Sequence, residues 1–312
     1  MDKEMRLSSS TVVCHCLECR RRPLILFRRP STAFRTFGYL GFCSAVGLTT
    51  SLAFQLRLSS LIVFLIIFGS TVVFLARRVV SRITGEAHQL VLYRQFAMVM
   101  SVTAIVSWVG GQPILPYEDV TAIGFAMLVA CGRIGCLLVG CCHGSPARIG
   151  IRYREWYVTP AFPRQFIGVR LLPIQALESW TLILIAFLGT RGILTGYFAG
   201  SSIGWFIAAY CPARFVLEFR RWRPRHSYYA GLSEAQWTSV GLALILVVSE
   251  RAGIIPGSSI HTIVAIGLSV ITIYMVATRM WRRGPTAHLA TATTHNSTKD
   301  SASYESMASS FR

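Results

Sequence analysis

The stretch VTAIGFAMLVACGRIGCLLVGC, Val120 to Cys141, is long and apolar enough to cross a bilayer as one helix, yet it carries Arg133 well inside the run. Its length sets the fold class. The hydrocarbon core of a membrane takes about 20 apolar residues as a helix, and comparable runs lie at Phe37 to Gln55, Leu58 to Ala76, Leu90 to Val109, Pro173 to Gly189, Ile193 to Phe219, Ala235 to Ser249 and Ile260 to Ala277. Together they predict an all-α integral membrane protein with seven to eight transmembrane helices. The whole chain agrees: its 312 residues are 53% hydrophobic and only 14% charged, with a mean hydropathy of +0.52, which excludes an ordinary soluble globule.

Three regions follow. Residues 1–36 form a basic N-terminal tail, expected to be cytosolic because no short charged, apolar and small-residue sequence opens the chain as a cleaved signal would. Residues 37–280 are the polytopic domain. Residues 281–312 carry the Ser, Thr and Ala bias of a segment that buries nothing, and are expected to be disordered.

The net charge of +18 is nearly all arginine, since Lys3 and Lys299 are the only lysines. The arginines flank the apolar runs, which points to loops obeying the positive-inside rule and to anionic lipid, not to nucleic acid. With eight spans the even-numbered connections hold Arg77, Arg78 and Arg82, then Arg148, Arg152, Arg154, Arg164 and Arg170, then Arg220, Arg221, Arg223 and Arg225. The other side receives Arg57, Arg191 and Arg251 with Glu118 and Asp119. By this bias both termini are cytosolic, unless the arginines cluster because they bind lipid phosphate.

A charge at bilayer depth costs at least about 2.5 kcal/mol, so it persists only beside a cavity or a partner. Around Arg133, the residues Gly132, Cys136 and Gly140 recur every four and predict a small-residue helix face open to close approach. In the sixth run Tyr210, Arg214 and Glu218 are spaced by four and Arg221 follows by three, all on one face, with Pro212 placed to bend the helix. The bland alternative is an internal Arg214 to Glu218 pair with the other arginines at the surface. The fifth run opens PIQALESW, which puts Gln175 and Glu178 on one face and makes Glu178 a candidate counter-charge for Arg133 or Arg214. Before and within the third run stand His88 and Gln95, one heptad apart, with Arg94 beside them. Arginine forks grip phosphate and stay charged where water is scarce, so the expected ligand is an anionic lipid headgroup.

These residues resemble the prolipoprotein diacylglyceryl transferase family. GRIGCLLVGCCHG (132–144) is similar to its Gly-Arg-hydrophobic-Gly-Asn and Asn-Gly-Glu signature, PIQALES (173–179) to its Pro-Ser/Thr-Gln-Leu-Tyr-Glu, YCPARFVLEFRR (210–221) to its Tyr-x-x-x-Arg helix, and LSEAQWTS (232–239) to the opening of its last helix; FGYLGF (37–42) is similar to its first span. The likeness runs from Phe37 to Ser249. It implies a bundle like that family's and transfer of diacylglycerol from phosphatidylglycerol to the cysteine thiol of a lipoprotein precursor in a bacterial inner membrane. It also implies that Arg133 and Arg214 are the essential arginines, and that Gln175, Glu178, Tyr210, Glu218, Arg221, Gly135 and Gly140 line the substrate. His88 is the histidine nearest in sequence to the family's His-Gly-Gly and is expected to line the substrate with them, though it does not sit in that motif. No cofactor and no metal are implied.

The signature departs at the amides and the carboxylate, which become Cys136, Val139 and Cys141. For Cys141, Cys142 and His143 three uses stay open: a thiol activated as a nucleophile, a soft-metal site completed by Cys136, or packing in a crowded turn. His143, which adjoins the signature, is the expected proton-transfer group. Further upstream, CHCLEC (14–19) lacks a second ligand pair at zinc-finger spacing. Two other readings compete: transfer of a different phospholipid group to another acceptor, and a non-catalytic lipid-binding protein or transporter.

Overall fold

The computed structural model describes residues 30–84, 92–154, 162–222, 228–229 and 231–283. Residues 1–29, which include the CHCLEC segment, residues 284–312 and His88 lie outside them, while residues 30–36 and 281–283 of the expected tails belong to helices. Among the described residues the helices are α1 (Pro30–Gln55), α2 (Ser60–Thr84), α3 (Leu92–Val109), α4 (Ile114–Val139), α5 (Ile174–Leu194), α6 (Ser201–Arg220), α7 (Glu234–Arg251) and α8 (Ser259–Arg283). All but α6 and α7 are long and apolar enough to cross a membrane by themselves. The remaining two carry the polar residues predicted from sequence, and their depressed hydropathy has that cause. Large apolar side chains such as Phe54, Phe64, Trp108, Phe187, Val248 and Ile273 stand exposed on the outside of the bundle, as a lipid-facing surface requires.

The centre is α4, which packs against α1, α3, α5 and α6. It begins six residues earlier than its apolar run, behind Pro113, so Glu118 and Asp119 belong to the helix and not to a loop. Both are buried. The Asp119 carboxylate accepts from the backbone N–H groups of Gly200 at 2.6 Å and Ile203 at 2.8 Å, satisfying donors that the start of α6 would otherwise leave orphaned. Helix α6 accordingly starts at Ser201 and not at Ile193, since α5 runs on to Leu194.

The predicted small-residue face is only partly used. At Gly132 a side chain would meet nothing. Close approach of α1 to α4 occurs instead at Gly41, where an added carbon would lie 2.9 Å from the Leu128 carbonyl, and at Gly124, where it would lie 2.1 Å from the Thr49 hydroxyl. Inside the bundle an aromatic series runs Phe125, Phe96, Phe206, Tyr210 and Tyr93, with ring centres 4.8–6.2 Å apart along it. Because lipid tails are as apolar as leucine, such contacts hold the helices by dispersion and close packing.

The connection between α4 and α5 shows no strand pattern in sequence but is structured. Strand β1 (Pro146–Arg152) pairs antiparallel with β2 (Arg170–Leu171), and Tyr153, Phe162, Phe166 and Leu171 form a small apolar cluster on that side. A second ribbon, β3 (Tyr228–Tyr229) with β4 (Leu232–Ser233), leads into α7. There Ser233 and Gln236 form a capping box, each side chain bonding the other's backbone N–H.

Candidate active site

Three chain segments are sewn together at one end of the bundle. Beyond α4, Gly144 N–H donates to the Leu172 carbonyl and Leu172 N–H to that of Ser145, while Ser145 N–H donates to the Arg220 carbonyl and Trp222 N–H to that of His143. The end of α4, the start of α5 and the end of α6 therefore meet, although they are far apart in sequence.

Glu178, fully buried in the second turn of α5, is the point on which the charges converge. Its Oε2 is 2.6 Å from Arg221 Nη2 and 3.0 Å from Arg133 Nε; its Oε1 accepts from the Tyr210 hydroxyl at 2.7 Å and faces Arg214 Nε at 3.8 Å. Arg214 Nη1 pairs with Glu218 at 2.8 Å, and Arg221 Nε lies 4.0 Å from the same carboxylate. The internal Arg214–Glu218 pair thus exists, but Arg221 is not a surface arginine: it is buried against Glu178. Among the described residues three guanidinium groups face two carboxylates, an excess of positive charge. Several of their nitrogens, Arg133 Nε, Arg214 Nε and Nη1 and Arg221 Nε, are buried without a well-aligned hydrogen bond. Arg133 has the most open side chain of the three, 12% exposed against 4% and 2%.

Tyr93, not singled out in the sequence, joins the set: its ring lies 6.2 Å from that of Tyr210 and its hydroxyl shares a 2.5 Å hydrogen bond with Ser239 of α7. Its neighbour Arg94 stands apart, exposed and paired with Glu234. Gln236 reaches across from the α7 cap to the Phe215 carbonyl of α6.

The signature turn lies beside the arginines. Gly140 caps α4 in the left-handed region (φ 87°), returning its N–H to the Cys136 carbonyl, and Cys142 also has a positive φ of 57°. Without a Cβ, Gly140 adopts this conformation freely; Cys142 does so at a cost. The reversal folds Cys141 and Cys142 back over the last helical turn, so the sulfurs of Cys136, Cys141 and Cys142 all lie within 4.8 Å of one another. Gln175 fixes the turn by donating to the Cys141 carbonyl at 2.7 Å. Hydrogen bonds with Cys136 and Cys141 hold the Cys142 thiol well below the usual thiol range, and Arg221 and Arg133 add to that; the Cys141 thiol is pushed up by its bonds with the other two. The structure thus brings together the three cysteines for which nucleophile, soft-metal site and packing had all stayed open in the sequence.

His143 is buried in an aromatic box, stacked on Trp222 at 5.6 Å and edged by Phe166 and Phe162, with its Nδ1 2.9 Å from the Gly144 carbonyl. Gly135 packs beneath Phe34 and Phe37 of α1.

Such a constellation, arginines and carboxylates assembled inside a bundle of long apolar helices, defines a polytopic helical membrane protein with a buried cluster of charge at one end. Residues 90–249, from just before α3 through most of α7, match the family described as prolipoprotein diacylglyceryl transferase, and the chain belongs to that family. Helices α1, α2 and α8 lie outside the matched region. The chain is 34% identical over 130 residues to phosphatidylglycerol–prolipoprotein diacylglyceryl transferase 2 of Clostridium perfringens (strain 13 / Type A), covering 41% of this chain and 48% of that protein. It is 28% identical over 134 residues to phosphatidylglycerol–prolipoprotein diacylglyceryl transferase of Clostridium tetani (strain Massachusetts / E88), covering 42% and 51%. The matched region therefore spans about half the length of these curated relatives. No solved structure matches the chain.

Proposed function

We propose that the protein transfers the diacylglyceryl group of phosphatidylglycerol to the cysteine thiol of a lipoprotein precursor, in the inner membrane of a bacterium. The observation that carries this reading is the convergence of Arg133, Arg214 and Arg221 on Glu178 with an excess of positive charge. Attack by a thiolate on the glycerol carbon breaks its bond to the phosphate oxygen, and the departing glycerol phosphate gains charge as it leaves. Fixed guanidinium donors in a water-poor site favour that charge without reorganising. Arg133, the more open of the three, receives the phosphate; Arg214 is aligned by Glu218, Arg221 by Glu178, and Tyr210 and Gln175 fix Glu178 and the thiol turn in their turn. In this reading Gly135 and Gly140 shape the wall of the lipid site. The names of the two clostridial relatives agree with this donor and acceptor.

The test is incubation of the purified protein with phosphatidylglycerol and a peptide bearing a lipobox cysteine, followed by mass spectrometry for the diacylglyceryl thioether and for released glycerol phosphate. Arg214→Lys is expected to lose roughly 100-fold or more, as Arg214→Ala does, because a point charge lacks the forked donors. Product formed equally well by Arg214→Ala would remove the phosphate role from this cluster.

A further inference from the structure

We infer that Cys136, Cys141 and Cys142 form a three-thiolate site for a zinc-class divalent cation, whose open fourth position takes the acceptor thiol. This rests on the transferase reading above, takes up the soft-metal use left open for these cysteines in the sequence, and departs from the metal-free expectation that the family resemblance implied.

The geometry comes first. The three sulfurs, all within 4.8 Å of one another, need only small shifts to surround one ion, because zinc–sulfur bonds of about 2.3 Å place sulfur atoms just under 4 Å apart. Thiolate ligands select soft or borderline d10 cations over magnesium and calcium. Three protein ligands with a vacant fourth position distinguish catalytic zinc from the closed four-ligand structural kind. Cys136 is buried and Cys142 exposed, so the triangle is anchored on the helix and open outward, where a substrate arrives. Packing does not account for Cys142: an exposed side chain on a backbone at φ 57° fills no core, and strain of this sort is held where function requires it.

Need points the same way. An acceptor thiol must lose its proton to attack carbon, and the carboxylates beside this turn are already engaged, Glu178 by arginines and Tyr210, Glu218 by Arg214 and Arg221. His143 is enclosed by three aromatic rings. A metal-bound thiol is deprotonated outright at neutral pH, so coordination does what a base would do. The step balances: the acceptor thiol releases its proton to water on binding the metal, its sulfur forms the C–S bond to the glycerol carbon, the C–O bond to phosphate breaks, and the electron pair leaves on glycerol phosphate, held by the arginines. Nothing is oxidised or reduced. Three thiolates around a divalent ion carry one negative charge, opposite in sign to the excess among the described residues of the neighbouring ion-pair cluster.

Full-length protein, kept reduced and stripped of metal by a chelator, is titrated with cobalt(II) and read by absorption. One equivalent is expected to give intense thiolate-to-cobalt charge-transfer bands and tetrahedral d–d bands, both bleached by zinc(II). Cys136→Ser, Cys141→Ser and Cys142→Ser are each expected to weaken binding at least tenfold, while Cys43→Ser on the exposed side of α1 leaves the titration unchanged. A lipobox cysteine peptide shifts the cobalt bands; its serine counterpart does not. Absence of the bands in reduced protein that unfolds at the normal temperature overturns the inference, as does full-rate transfer by metal-free protein, which leaves the transferase reading standing. Cobalt bands that respond to the thiol peptide, with no thioether formed from phosphatidylglycerol, support the site and sink the lipid donor.

Discussion

Glu178 is met by the guanidinium groups of Arg133, Arg214 and Arg221 and by the Tyr210 hydroxyl. Removing charges from water is costly, and a buried ion pair seldom gains net stability against an apolar replacement, so a carboxylate gripped from α4 and α6 at once serves to order the guanidinium groups. Deleting it is a different matter from never having had it. Glu178→Ala would leave Arg133 and Arg221 buried without their nearest partner, and a loss of about 3–5 kcal/mol is expected. Glu178→Gln keeps an acceptor for Tyr210 and should lose less. Thermal unfolding in detergent measures both; a Glu178→Ala protein as stable as the parent would show that the guanidiniums are neutralised elsewhere.

At the scale of elements, the bundle is organised by what α4 does at its two ends. One end presents Arg133 and the thiol turn. The other presents Asp119, which spans to α6 and caps its first turn through two backbone N–H groups. Hydrogen bonds to a charged acceptor contribute roughly 1.5–3 kcal/mol, and the N-terminus of a helix adds favourable charge for a carboxylate. Asp119→Ala is therefore expected to lower stability by about 2 kcal/mol without changing the residues that face phosphate. The check is a lower unfolding temperature together with transfer activity that survives below it; activity lost in protein that is still folded would tie this end of α6 to the chemistry. Sequence placed Glu118 and Asp119 outside the membrane because hydropathy reports average polarity. A carboxylate whose partners are another helix's backbone leaves no trace in that average.

For the whole molecule, the path through α5, α6 and α7 among the described residues places the thiol turn and the connection between α7 and α8 on opposite faces. A single exposed cysteine at Gly257→Cys, where an added side chain meets no neighbour, and Cys142 are expected to react with a membrane-impermeant maleimide from opposite sides of sealed vesicles, each in a background without other cysteines. Reaction of both from one side would break the path of three crossings through α5, α6 and α7. The comparison does not depend on which face is cytosolic, and so it is insulated from arginines that cluster to bind lipid instead of to set orientation.

The sequence by itself determined that this is a helical membrane protein, roughly where the helices run, and which charges lie too deep to be incidental, because hydrocarbon imposes length and apolarity on every spanning segment. The i, i+4 spacing of Tyr210, Arg214 and Glu218 was equally legible, being a property of one helix. Tertiary structure alone decided the rest. That Arg133, Arg214 and Arg221 share Glu178 follows from backbone hydrogen bonds joining residues 143–145, 172 and 220–222, contacts between segments that no local period encodes. That three cysteines form a triangle depends on the positive φ angles of Gly140 and Cys142, just past the end of α4, and a change of backbone direction is invisible to a pattern of residue types.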